Sequence, residues 1–278
     1  MNEEVKQTAD PAEKEQKPKG PPKSIFREYF ESFAVTLIMA IFGMTFVLQA
    51  VTVPTGSMQN TILVGDYLLV NKFIFTPGGY ELPFLPQREI RRGDIIVFKY
   101  PGNKVHPRKD SSRGLQAYQI NYVKRVIGLP GETVEFKNNQ VYINGQLLPE
   151  HRIIGDADDD QSALETTEVE PRKPEDKWDV YYRDLPKGGD QGLGRLVRND
   201  YEFGVEGKPM QVPPNQFFVM GDSRDNSEDS RFWGFVPREL IIGRAMFVYW
   251  SCDRGASNGS VVGCLTHPRL NRIGKFVK

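Results

Sequence analysis

Three stretches of the 278-residue chain hold side chains that could support catalysis. The first is Pro54-Thr55-Gly56-Ser57-Met58, a short polar turn carrying a serine. The second is Asn121-Tyr122-Val123-Lys124-Arg125-Val126-Ile127, and the third is Gly221–Arg231, dense in Asp, Asn, Ser and Arg. A hydrolytic serine needs a neighbouring base. The three histidines, His106, His151 and His267, lie in polar or Pro-containing segments with no acid–histidine pattern of a triad, so they are expected at the surface. Lysine is the other candidate. With a free pKa near 10.4, only ~0.04% of a lysine is neutral at pH 7, so it must lose hydration to act as a base. Along a strand, Lys124 shares its face with Tyr122 and Val126 while Arg125 takes the other. That pattern fits a desolvated lysine, and it equally fits an edge strand from which Lys124 snorkels to water. In the third stretch, one reading is a self-hydrogen-bonded turn with internal ion pairs. The other is a loop whose hydroxyl orients the base.

These groups need elements to position them. The 21 residues Phe33–Val53 carry no charge, and as a helix they would cover roughly 32 Å, the thickness of a bilayer core. The leader before them is long and carries five acids before Lys17, unlike a cleaved secretory signal. Lys14, Lys17, Lys19, Lys23 and Arg27 precede the run and only Lys72 follows within twenty residues, which predicts a cytoplasmic N-terminus and a catalytic part on the outer face. Ser57 is then expected at the membrane surface. Residues 1–32 read as a disordered tail and juxtamembrane segment, 33–53 as one transmembrane helix, and 54–145 with 211–278 as a catalytic β domain. The β domain rests on Ile62–Lys72, Asp94–Tyr100, Ala117–Ile127, Phe217–Met220 and Ile241–Trp250, all β-branched or aromatic runs. Asn138-Asn139 marks a hairpin between Thr133–Lys137 and Val141–Asn144. Residues 146–210 break the pattern and read as an inserted loop-rich lobe. Its Asp156–Asp160 cluster lacks the alternating spacing of a calcium loop and reads as solvated. The fold class expected is mainly β: twisted antiparallel sheets with a small inserted lobe, preceded by one transmembrane helix. A formal net charge of zero gives no argument for nucleic acid. Cys252 and Cys264, with eleven residues between them around a Gly- and Asn-containing turn, can pair as a disulfide if they lie outside the cytoplasm and bracket a hairpin; sequence leaves the pairing open. Phe232, Trp233 and Trp250 are read either as core or as aromatics at the membrane interface.

Four blocks in this order resemble the type I signal peptidases, the bacterial leader peptidases. They are Val53–Met58 with Gly65-Asp66, Arg92–Phe98, Tyr122–Gly131, and Met220–Asp222 through Asp229–Gly234. The resemblance covers about residues 33–145 and 212–250. It implies a membrane-bound serine endopeptidase that cleaves signal peptides from exported preproteins by a Ser/Lys dyad through an acyl-enzyme. Ser57 would be the nucleophile, Lys124 the general base and Ser227 the group holding its amine. The Thr55 hydroxyl and the Ser57 N–H would form the oxyanion hole, and Asp229 with Arg231 would shape the site. Val53, Pro54, Ile62, Leu68, Tyr122 and Val123 match the family's substrate pockets, which take the small residues of an A-x-A cleavage site. It further implies no cofactor and no metal, signal peptides and membrane lipid as partners with transient contact to export machinery, and a single-pass location in the bacterial inner membrane. Thr55 stands where the family more often has Ser, Asn60 where it often has Pro, and Ser223 where it usually has Asn; none of these removes a catalytic group. A self-cleaving Ser–Lys repressor and a catalytically silent, membrane-anchored signal-peptide-binding protein are the rival readings.

Overall fold

The computed structural model describes residues 24–75, 87–155, 166–183, 201–257 and 260–278. The tail 1–23, the Asp156–Asp160 cluster and much of the 146–210 stretch lie outside them. Two compact units divide at Gly43. The first holds helix α1 (Ile25–Phe42), which Ser24 opens by accepting a hydrogen bond from the Arg27 N–H. None of its side chains is buried, and Phe33, Ile38, Met39 and Ile41 stand exposed.

The second unit contains strands β1 (Leu48–Thr52), β2 (Asp66–Asn71) and β3 (Ile95–Lys99), helix α2 (Pro107–Ser112), and strands β4 (Asn121–Gly128), β5 (Thr133–Lys137), β6 (Gln140–Ile143) and β7 (Gln146–Leu147). Then come β8 (His151–Gly155), β9 (Thr166–Glu168), β10 (Asp179–Arg183), β11 (Met210–Gln211), β12 (Gln216–Met220), helix α3 (Ser230–Trp233), β13 (Val236–Pro237), β14 (Ile241–Ser251) and helix α4 (Val261–Thr266). Seven strands form the main sheet in the order β1-β2-β14-β3-β4-β12-β13. Its pairings are antiparallel, and its β-branched and aromatic runs suit strands. Two small sheets, β11-β5-β6-β7 and β10-β8-β9, complete a mainly β architecture; β8 and β10 pair in parallel. The β5–β6 hairpin turns at Asn138 and Asn139, both at positive φ (51° and 56°), as the sequence predicts.

The middle of the sheet is buried on both faces. Strand β3 shows why: Ile96 and Phe98 enter one apolar cluster, with Val126, Phe218 and Trp233, while Ile95 and Val97 enter another, with Val53, Met58, Ile62 and Leu68.

Several expectations are corrected here. Phe33–Val53 is not one helix. Its helix ends at Phe42, a π turn covers Gly43–Val47, and Leu48–Thr52 pair with β2 from Leu48↔Asn71 to Thr52↔Tyr67. The β-branched and polar residues Val51 and Thr52 suit that strand. Arg27, Glu28 and Glu31 occupy the first turns of α1, and among the described residues no helix is long and apolar enough to cross a membrane. Among the described residues of the 146–210 stretch, Trp178, Val180, Tyr182 and Tyr201 belong to the larger apolar cluster. His151 is buried on β8, not at the surface, with Nδ1 2.9 Å from Asp179 Oδ1 and Nε2 3.1 Å from the Glu170 carbonyl. Phe232 and Trp233 are buried, whereas Trp250 is half-buried and donates Nε1–H to Cys264 Sγ at 3.4 Å. Cys252 and Cys264 form a disulfide, their Cα atoms 5.1 Å apart.

Candidate active site

Ser57 lies on a single 3-10 turn, Gly56–Met58, between β1 and β2. The chain reverses here because Val53 and Asp66 are already paired (Val53 N–H to Asp66 O, 3.0 Å), and the turn must close the intervening loop. Met58 and Ile62 anchor it in the apolar cluster with Val53 and Leu68. Gly65, at φ +89°, leaves no room for a side chain: a Cβ would stand 2.3 Å from the Cys252 carbonyl. The Asp66 carboxylate, fully buried, accepts from the Leu63 N–H (2.9 Å), Ser251 Oγ (2.7 Å) and Arg272 Nη2 (2.5 Å). The first N–H groups of such a turn have no partner within it. Thr55 caps the turn, its side chain exposed to the cleft and making no capping bond.

Lys124 reaches this turn from β4, held between β3 (Lys124↔Ile96) and β12, which starts pairing one residue on (Met220↔Arg125). It is therefore not on an edge strand, and only 4% of it is exposed. Its Nζ lies 2.5 Å from Ser57 Oγ and 5.6 Å from the Tyr122 ring centroid. Burial pushes its pKa down to about 8, against the opposing pull of Asp229, Glu228 and Asp222; Arg231 adds to the lowering.

The Gly221–Arg231 loop packs directly behind the serine. Ser223 N–H donates to the Ser57 carbonyl at 3.2 Å. Gly221 is obligatory, because a Cβ there would meet both that carbonyl and Ser227 Oγ at 2.4 Å. Ser227 is buried in the same cleft as Lys124, and its Oγ has no hydrogen-bond partner among the described residues. Asp229 pairs with Arg231 twice at 2.8 Å and accepts from the Gly221 N–H at 3.0 Å. Burial pushes its carboxyl pKa up, but the Arg231 guanidinium and the Gly221 N–H outweigh that and hold it below the usual carboxylate range.

Two further buried ion pairs of the loop were not visible in the sequence, because their partners lie far along the chain. Asp222 takes two bonds of 2.7 Å from Arg125, and a further one of 2.6 Å from Thr61 Oγ1. Arg224 pairs with Glu150 at 2.5 and 2.8 Å. The charge-rich composition of 222–231 was the signal that such partners exist.

A cleft of about 350 Å³ opens over Ser57 and Lys124. Val53, Pro54, Tyr122 and Val123 line it. Ile62 and Leu68 do not; both are fully buried and pack behind Val53 and Met58. Arg113 and Glu228, absent from the sequence reading of the site, also line it. No group of three or more metal-ligating side chains occurs among the described residues. The arrangement can do acyl transfer: a hydroxyl, a desolvated amine in hydrogen-bond reach, and an open cleft beside them.

The family profile described as "Signal peptidase, peptidase S26" matches residues 26–250. A signal peptidase I of Pseudomonas fluorescens is 32% identical over 270 residues, covering 89% of this chain and 78% of that protein. That of Aquifex aeolicus is 32% identical over 275 residues, covering 90% and 97%. A crystal structure of a signal peptidase I from Enterococcus faecalis matches at 26% identity over 56% of this chain and 97% of the other, with a TM-score of 0.29.

Proposed function

From its membership of the signal peptidase family, peptidase S26, to which this chain belongs as a serine peptidase, we propose that it removes N-terminal signal peptides from exported preproteins at the bacterial inner membrane by a Ser57/Lys124 dyad. The observation that carries the reading is the 2.5 Å approach of a buried Lys124 amine to Ser57 Oγ.

Ser57 Oγ attacks the scissile carbonyl carbon while the neutral Lys124 amine takes its proton. Negative charge gathers on the carbonyl oxygen, where the Ser57 N–H and the Thr55 hydroxyl stabilise it. The tetrahedral species collapses as Lys124 passes the proton to the leaving amine, which departs as the new N-terminus of the mature protein. A water then enters, Lys124 takes a proton from it, and the acyl-enzyme is hydrolysed with return of the proton to Ser57. Ser227 Oγ, buried beside Gly221 and without a hydrogen-bond partner among the described residues, is the group we assign to orient the Lys124 amine. Asp229 and Arg231 fix the loop that carries it. Val53, Pro54, Tyr122 and Val123 form shallow apolar walls suited to small side chains, with Ile62 and Leu68 as backing.

Membrane attachment is supported by the exposed apolar side chains of α1, which water disfavours and lipid would cover. The cations ahead of Phe33 support an N-terminus in the cytoplasm and a catalytic unit on the outer face.

The test is cleavage of a signal-bearing preprotein by the intact protein in detergent, beside Ser57→Ala and Lys124→Met. The expected result is turnover by the intact protein and none by either folded variant. Its kcat/KM is expected to fall below about pH 8, because the base must be neutral and Lys124 gains its proton there. Binding without cleavage would make the protein a signal-peptide holder, and activity in Lys124→Met would remove the lysine as base.

A further inference from the structure

Lys124 must stay neutral in a site that contains three carboxylates close enough to favour its charged form: Asp229, Glu228 and Asp222. Ser57, Ser227, the Tyr122 ring and Arg231 also face it. Two of the carboxylates are neutralised inside the protein. Asp229 is paired with Arg231 and Asp222 with Arg125, each through two bonds and with almost no exposure. Glu228 differs. It lies between Ser227 and Asp229, lines the catalytic cleft, and is 35% exposed. Its partner is Arg113, 52% exposed, whose Nη1 donates to Glu228 Oε1 across 115 residues of chain.

Arg113 is not a chance visitor to the cleft. It caps the C-terminal end of α2, and the segment around it is fastened on two sides. Asp110 accepts from the Tyr100 hydroxyl (3.0 Å) and the Asn103 N–H (2.8 Å), and the Tyr100 ring packs 4.9 Å from that of Tyr122. His106 Nε2 lies 2.8 Å from Glu202 Oε1. The segment therefore delivers a guanidinium to the cleft rim.

We propose that Arg113 is a positioning residue for the reaction: it holds the Glu228 carboxylate at the rim of the cleft and keeps it from engaging the Lys124 amine. The inference rests on Lys124 being the base. Without Arg113, Glu228 is free to rotate into the cleft. A carboxylate facing the amine favours the ammonium form, which cannot take the Ser57 proton.

The test is the pH dependence of kcat/KM for the full chain in detergent on a signal-bearing peptide. Arg113→Ala is expected to move the acid-limb midpoint up by about half to one unit, a loss of about three- to tenfold at pH 7. Arg113→Lys keeps a cation there and is expected to restore most of that loss. Glu228→Gln, alone or combined with Arg113→Ala, is expected to sit at or below the wild-type midpoint. An unmoved midpoint in Arg113→Ala overturns the proposal, even if the rate falls evenly at every pH, since that is the signature of a merely structural contact. So does an upward shift that persists in the double variant. Activity in Lys124→Met would instead remove the base assignment, and this proposal with it; an inactive Lys124→Met beside a flat Arg113→Ala removes the proposal alone.

Discussion

Ser57 and Lys124 meet at 2.5 Å, yet the two regions that bring them there are built on different physics. The serine's turn is set mainly in an apolar cluster of Val53, Met58, Ile62, Leu68 and their neighbours, with a single buried ion pair, Asp66–Arg272, at its far end. The lysine's surroundings are held by three buried arginine–carboxylate pairs, Arg125–Asp222, Arg224–Glu150 and Arg231–Asp229. Apolar packing is non-directional and tolerates swaps of similar volume. Bidentate pairs are directional, and they fix both distance and orientation. The difference follows from what each group must be. A serine hydroxyl is neutral and needs only a place. A lysine base must be kept neutral, so every charge near it must be committed to something else.

The largest effect expected on stability comes from breaking one of those pairs. Arg231→Met leaves Asp229 buried without its cation, and should cost about 3–5 kcal/mol by denaturant unfolding in detergent. Cleavage should be lost as well, since Asp229 also holds the Gly221 N–H behind Ser57. Arg231→Lys should not rescue it, because an ammonium cannot replace the Nε and Nη2 fork or reach Tyr201 and Arg224 as well. A loss below about 1 kcal/mol would place this pair among exposed ones and dissolve the contrast.

What the sequence disclosed follows the same division. Local signals were readable: the Asn138-Asn139 hairpin, the strand around Lys124, and the turn carrying Ser57. The Ser57, Lys124 and Gly221–Arg231 stretches could be singled out because serine, lysine and dense Asx are unusual in such settings. Long-range partners were not readable. Nothing near Asp222 or Arg224 announces Arg125 or Glu150, and nothing near Glu228 announces Arg113. The lack of charge in residues 48–52 predicts the end of a membrane helix, but pairing with β2 outweighs that pattern. The resemblance matches Ile62 and Leu68 to pocket residues, but both lie one layer deeper than the cleft lining, a depth that residue type does not disclose.

On the serine's side, Ile62→Ala opens a cavity behind Met58 and should cost about 2–5 kcal/mol, whereas Ile62→Val should cost about 0.5–1.5 kcal/mol. Unlike Arg231→Lys, the conservative change should keep most of the cleavage rate. If Ile62→Val abolishes activity without unfolding, the serine's turn is as exacting as the lysine's loop.

Lys124 itself gives a prediction of opposite sign. The unfolded chain keeps this proton up to about pH 10.4, while the folded protein releases it near 8. Between those values the unfolded state binds more protons, so folding stability rises with pH across that window and is penalised below it. Lys124→Met carries no such penalty. It should be inactive yet more stable at pH 7, by roughly 1–3 kcal/mol, with the advantage shrinking above pH 8 and gone near 10.4. Unfolding midpoints at pH 6 and pH 10 check this, and a variant less stable than wild type at both would mean that Lys124 is held mainly by its contacts.

The smallest effect expected uses the same chemistry in the opposite setting. Arg27 and Glu31 form an ion pair one turn apart on α1, at 2.8 Å, no longer than the buried Arg231–Asp229 contacts. Their side chains are 67% and 40% exposed, however, so water already satisfies each charge and salt screens the attraction. Arg27→Ala should change stability by less than about 0.5 kcal/mol, and less still in high salt. Measured beside Arg231→Met, it separates distance from burial. If the two cost the same, geometry alone would account for the loop around the lysine. A tenfold gap would mean that exclusion of water gives the buried pairs their hold on the base.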